Sequence, residues 1–195
     1  IAGLANGGSI QLLSQSGFGQ NGLIQLGATT LNVDGARAAG TISLLDQTAG
    51  PGIILGALSA SAVSTLIGGI PSAGSITLAS ADSSPGGGGA ASPTDAMLIN
   101  GPATLTADSV ITLISSNTGS IRVAGNLAVN SGLRTIITGG QNSAANPTLS
   151  ANGISITTGQ LAADSASIIA STGPVAITTD ARFRTTVAGL TGDLA

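Results

Sequence analysis

The chain contains no Lys, Glu, His, Cys, Trp or Tyr. Without Cys there are no disulfide staples and no thiolate metal sites. With His, Lys, Glu, Tyr and Cys all missing, general acid–base catalysis is left with Asp alone. A serine nucleophile has neither a His nor a Lys to activate it. No Trp or Tyr is available to stack on a sugar ring. Phe18 and Phe183 are the only aromatics in 195 residues, so a core must be built from Ile, Leu, Val and Ala in thin, regular layers. Charge is scarce as well, with eight Asp and five Arg giving a net charge of −3. Arg37, Arg122, Arg134, Arg182 and Arg184 form no basic patch that could release phosphate counterions, which excludes nucleic acid as a partner. They are also too scattered for a polybasic membrane signal.

What remains is Gly, Ala, Ser, Thr, Asn and aliphatic residues in short alternations between turn residues. A Gly followed by such an alternation occurs at Gly8-Ser9-Ile10-Gln11-Leu12 and returns at Gly40 to Leu44, Gly74 to Leu78 and Gly119 to Val123. Variants stand at Gly153 to Ile156 and Gly173 to Ile177. In Ser75-Ile76-Thr77-Leu78 the period of two puts Ile and Leu on one face and the hydroxyls on the other. In Ile121-Arg122-Val123 the outward position carries the Arg. Gly and Asn supply the corners between strands.

The marked positions 10, 42, 76, 121, 154 and 175 are 32, 34, 45, 33 and 21 residues apart. That loose period predicts coils of roughly 20 residues carrying insertions, about ten of them in a rod of roughly 45–50 Å. An all-β sandwich also alternates, but regular Gly–β–Gly spacing with almost no aromatics favours stacking. The expected fold is all-β, a parallel β-helix (β-solenoid) with short decorating loops, spanning residues 1–195 as a single segment. Residues 83–95, with four consecutive Gly, read as a loop insertion, and Gly139 to Pro147 as a second loop. Leu58, Ala62, Leu66 and Ile67 stand at helical spacing, so one short helix is expected near 59–66.

Gly52 to Ile70 is uncharged for long enough to cross a bilayer, but Ser59, Ser61, Ser64 and Thr65 interrupt it and no cationic flank orients it. It is read as no membrane span. The chain starts at Ile1 with no charged segment ahead of an apolar core, so no signal peptide is read; the expectation is a processed product or a segment of a longer protein.

No catalytic, cofactor-binding or metal residue is assigned. Asp34, Asp46, Asp82, Asp108, Asp164 and Asp180 each sit near a turn, where Asp caps backbone N–H groups. A two-carboxylate polysaccharide-degrading β-helix would instead gather them on one face of successive coils. Asp82 and Asp95, on either side of the Gly run, are the least unsuitable calcium ligands, but no Asp-x-Asp run or Gly-Gly-x-Gly-x-Asp repeat supports them. Asp180 and Asp193 bracket the last segment, in which Arg182-Phe183-Arg184 reads as two outward Arg around an inward Phe.

Ala107-Asp108-Ser109-Val110-Ile111-Thr112-Leu113 and Gly119 to Gly132 (GSIRVAGNLAVNSG) resemble the degenerate coils of filamentous haemagglutinin-like exoproteins and autotransporter passengers. The likeness extends over nearly the whole chain and is one of composition. It implies a right-handed parallel β-helix, export to the surface of a Gram-negative bacterium, and adhesion or scaffolding. The Asn-Pro-Asn motif of that family's secretion domain is missing, since Asn146-Pro147 is followed by Thr148, so the resemblance implies a shaft segment.

The functional expectation is a non-enzymatic, extracellular or cell-surface structural protein, the shaft of an adhesin, with a host surface or matrix component as partner. The alternative is a subunit that stacks end to end on itself in a filament or surface layer, because no charge-rich cap is visible at Ile1 to Leu4 or Gly189 to Ala195. The third is a polysaccharide-degrading enzyme.

Overall fold

The computed structural model describes residues 6–17, 20–21, 23–48, 52–65, 74–80, 95–115, 120–139, 148–163, 169–179 and 190–194. Within them the chain is all-β. Its strands are β1 (Ser9–Gly17), β2 (Gln20–Asn21), β3 (Ile24–Leu26), β4 (Thr29–Asn32), β5 (Thr41–Gln47), β6 (Ile53–Leu55), β7 (Leu58–Ala62) and β8 (Ser75–Ser80). These are followed by β9 (Asp95–Ile99), β10 (Ala103–Ala107), β11 (Val110–Ser115), β12 (Ser120–Thr138), β13 (Leu149–Ala163), β14 (Ile169–Thr179) and β15 (Leu190–Leu194). They form one sheet, parallel throughout except for the β1–β2 hairpin, that nearly closes around a single core. An immunoglobulin-type sandwich would pair its strands antiparallel.

The pairing resolves into three ladders. The first stacks β1, β5, β8, β11, the end of β12 and the end of β13. The second stacks β3, β6, β9 and the starts of β12, β13 and β14. The third stacks β4, β7, β10, the middle of β12, the middle of β13 and the end of β14. The chain visits them in the same order each time. The long strands β12 and β13 turn corners at register shifts, for instance between Val123 and Asn126.

Alternation decides what faces the core. In the first ladder Ile10, Ile42, Ile76 and Ile111 are in register, half-buried at Ile10 and fully buried from Ile42 onward. In the second, Ile53, Met97, Ile121, Leu149 and Ile169 stack; in the third, Leu58, Ala103, Leu127, Ile154 and Val175. Arg122 points outward between buried Ile121 and Val123, as its phase requires.

Three expectations are corrected. The loose period arises because the marked segments belong to different ladders: positions 10, 42 and 76 lie on the first, 121 on the second, 154 and 175 on the third. Followed along the first ladder, the column runs Ile10, Ile42, Ile76, Ile111, Thr135, Leu161, with steps of 32, 34, 35, 24 and 26 residues. Passes therefore reach 35 residues on this ladder and fall to the 20 between Leu149 and Ile169 on the second, as passes of about 20 residues lengthened by insertions would. Among the described residues the second and third ladders reach seven rungs, β15 lying on β14, where ten were expected, and they span roughly 29 Å at strand spacing. The helix near 59–66 is absent among the described residues. Leu58–Ala62 is β7, held between β4 and β10, and strand alternation buries Leu58, Ala60 and Ala62 while exposing Ser59. Ladders on both sides override the helical spacing, with β-branched Val63 and Thr65 adding to the bias. Of the loop expected over 83–95, Asp95 instead opens β9; 83–94 and most of Gly139 to Pro147 lie outside the described residues.

The uncharged stretch from Gly52 contributes β6 and β7, and no helix among the described residues is long and apolar enough to cross a membrane. Corners from the second to the third ladder are uniformly short: Gly27-Ala28, Gly56-Ala57, Asn100-Gly101-Pro102, Ala124-Gly125-Asn126, Asn152-Gly153 and Thr172-Gly173-Pro174. From Gly56 onward each corner glycine lies against the corner beside it, whereas a Cβ at Gly27 would meet nothing within 4 Å. A Cβ at Gly125 would lie 2.6 Å from the Pro102 nitrogen, and one at Gly173 2.5 Å from the Asn152 carbonyl oxygen. Only hydrogen fits there.

Candidate functional site

The acidic side chains are the only candidates for chemistry, and the fold places the described ones apart. Asp34 follows the third ladder on its first pass. One of its oxygens accepts from Ser61 Oγ at 2.6 Å and the Val63 amide at 2.7 Å; the other accepts from Asn32 Nδ2 at 3.0 Å. Asp108 grips the same segment from the opposite side, accepting from both the amide and the hydroxyl of Ser64 at 2.6 Å. The two carboxylates hold the 61–64 strand exit between them, which is the turn-capping role that such positions predict.

Asp46 is different. It continues the inward phase of Ile42 and Leu44 and is 1% exposed. A carboxylate at such depth needs donors around it. It has the Thr48 amide at 3.0 Å, the Thr48 hydroxyl at 2.8 Å and the Gly52 amide at 3.2 Å. Gly52 sits so close that a Cβ would fall 2.1 Å from Asp46 Oδ1 and 2.6 Å from Ser14 Oγ. Ser14, Asp46, Ser80 and Ser115 are in register at the inner end of the first ladder, all at 2% exposure or less. One column of the core is thus polar.

A second buried polar group occupies the turn from the third ladder into the first. Ser131 Oγ lies 2.9 Å from Thr135 Oγ1 and 2.6 Å from Thr158 Oγ1, and the Thr158 hydroxyl donates to the Gln160 carbonyl at 3.0 Å. A hydroxyl has one proton, so this last bond fixes the others. Ser131 must donate to Thr158, and Thr135 to Ser131. The three hydroxyls form a one-way chain that satisfies every donor.

Neither group is signalled by any motif. The clue available is phase: Asp46 and Ser14 stand where the alternation demands an aliphatic residue. Asp82, Asp164 and Asp180 lie outside the described residues, as do Phe18, Phe183 and the Arg182-Phe183-Arg184 triplet. Asp95 and Asp193 belong to β9 and β15. Among the described residues no three metal-ligating side chains converge.

The described residues form shallow depressions on the outer surface. One of about 280 Å³ runs over the third ladder between Asn126, Ala128, Gly153, Ser155, Pro174 and Ala176 and is mostly apolar. Another, of about 290 Å³, lies beside Asp108, Asn130, Gly132 and Thr157. Neither gathers a nucleophile, a base and a cation. No protein-family model, curated protein or solved structure matches the chain.

Proposed function

We propose that the chain is a length of β-solenoid shaft from a secreted or surface-anchored bacterial protein of the filamentous haemagglutinin-like or autotransporter-passenger kind. It works through shape and durability and performs no reaction. The observation that carries this reading is the invariant order in which the chain visits the three ladders, each pass lying in register on the last. Repetition of this kind extends a rod by one strand spacing per pass, about 4.8 Å, without requiring a larger core. Scarcity of Arg and absence of Lys deprive trypsin-like proteases of cleavage points, which suits an exposed location. Asp34 and Asp46 are occupied by capping bonds, which suits a framework better than a reaction.

Far-UV circular dichroism of the purified chain tests the architecture, with a dominant strand signal expected and dominant helix overturning the solenoid. Incubation with a panel of polysaccharides tests the absence of chemistry. Cleavage lost on Asp34→Asn or Asp108→Asn would replace the shaft reading with that of an enzyme.

A second reading, end-to-end self-association, is favoured by the first pass. Leu26, Leu55 and Ile99 share a column, yet Leu26 is 43% exposed while the other two are fully buried. Among the described strands, β3 and β4 each pair on one edge only, so backbone donors and aliphatic groups are open together. Another coil of the same cross-section is the natural cover. Light scattering across a concentration series distinguishes the two: growth that Leu26→Asp abolishes supports stacking, and a constant monomer mass rejects it.

A further inference from the structure

Asn-Gly dipeptides are the peptide units most prone to rearrange without an enzyme, because glycine's missing side chain leaves its nitrogen unshielded. The chain has four, at Asn6-Gly7, Asn21-Gly22, Asn100-Gly101 and Asn152-Gly153. Gly22 lies outside the described residues. The other three sit in different surroundings.

At Asn6-Gly7 the attacking nitrogen is engaged, since the Gly7 amide donates to the Ala38 carbonyl at 2.7 Å. At Asn152-Gly153 the pair lies inside β13, with Gly153 in register with Asn126. The Asn152 carbonyl there is tied by the Ser171 hydroxyl at 3.1 Å and the Thr172 hydroxyl at 3.4 Å, which opposes the backbone rotation that ring closure needs. Asn100-Gly101 has neither restraint. It forms the bend between β9 and β10, its Asn side chain is exposed, and the one bond holding it is from the Asn100 amide to the Leu55 carbonyl at 2.8 Å. Among the described residues, neither the Asn100 carboxamide nor the Gly101 amide has a hydrogen-bond partner.

We propose that Asn100-Gly101 is a self-modification site, where the backbone converts to an isoaspartyl or aspartyl linkage while the other two pairs are protected by the fold. The Gly101 nitrogen attacks the Asn100 side-chain carbonyl carbon and a new C–N bond forms. The bond to Nδ2 breaks, and ammonia leaves carrying the proton lost by the Gly101 amide. Water then opens the five-membered imide at either carbonyl, giving aspartate or, with one extra methylene in the main chain, isoaspartate. No oxidant or cofactor is needed. Each event adds one negative charge at the corner. The isoaspartyl product lengthens the path between Ile99 and Ala103, both buried and in register with Leu55 and Leu58.

The test is incubation of the full chain in ¹⁸O-labelled water at mildly alkaline pH, followed by peptide mapping with an isoaspartyl-specific methyltransferase. In the folded protein, label at residue 100 should accumulate about tenfold faster than at residues 6 and 152, because only at those two is the attacking nitrogen or the Asn carbonyl held by a hydrogen bond. In urea the three rates should converge. Asn100→Gln, which leaves the corner intact but cannot close a five-membered ring, should remove labelling at that position. Gly101→Ala should slow it several-fold, provided its circular dichroism is unchanged. Equal rates in the folded chain, or an ordering that persists in urea, would overturn the proposal.

Discussion

Shortening two leucines of one column separates burial from pairing as the source of stability. Leu55 is fully buried between Leu26 and Ile99, whereas Leu26 has a neighbour on one side and is 43% exposed. Leu→Ala removes three carbons, worth about 2.4 kcal/mol in transfer, and an enclosed site adds a cavity term, so Leu55→Ala should cost about 3–4 kcal/mol. Leu26→Ala loses a little over half of the transfer term and leaves no enclosed void, so about 1–1.5 kcal/mol is expected. The chain has no Trp or Tyr for fluorescence, so the assay is urea unfolding followed by far-UV circular dichroism, compared at equal m. With m near 2 kcal/mol/M, the midpoints should fall by roughly 1.5–2 M and 0.5–0.7 M respectively. Equal losses for the two variants in dilute solution would refute the reasoning. Leu26→Ala approaching Leu55→Ala only at high concentration would instead report a second copy covering the open end.

Corner glycines should divide sharply. Gly132→Ala puts a Cβ 2.2 Å from the Asp108 carbonyl oxygen and should cost at least 2 kcal/mol, while Gly8→Ala meets nothing within 4 Å and should stay within about 0.5 kcal/mol, both read from urea midpoints. Asp46→Ala leaves the buried amides of Thr48 and Gly52 without acceptors, an expected loss of about 2–4 kcal/mol; a midpoint unchanged from wild type would show that water replaces the carboxylate. In the hydroxyl chain, Ser131→Ala removes the central link and should cost about 1–3 kcal/mol, whereas Thr135→Val, which removes only the terminal donor, should cost less; the reverse order would contradict the assigned proton direction.

The strands were legible because burial within each side follows a period of two. Ile42, Leu44, Ile76 and Leu78 are buried as the alternation requires, and Arg122 is outside. The arrangement of the passes was not legible, for a specific reason. A Gly or small polar residue followed by an aliphatic alternation opens a strand on all three ladders, so Ile76 and Ile121 look like successive equivalents although they face the core from different sides. Helical spacing in Leu58, Ala62 and Leu66 was a coincidence of composition, overruled by neighbours that local sequence does not contain. The polar column at Ser14, Asp46, Ser80 and Ser115 was hidden because Asp and Ser next to a turn normally face water.

The corners impose a lopsided tolerance for change. Among the described residues the connection between the second and third ladders never exceeds three residues, and from Gly56 onward its glycines lie against the adjoining pass. Between the third and first ladders the connection varies from the 63–74 stretch to Gly159 alone, and between the first and second it varies from 116–119 to 81–94. New sequence can thus be grafted along two seams while the one between the second and third ladders stays closed, so an evolving or engineered version would display its additions on either side of the first ladder and keep the remaining corner smooth.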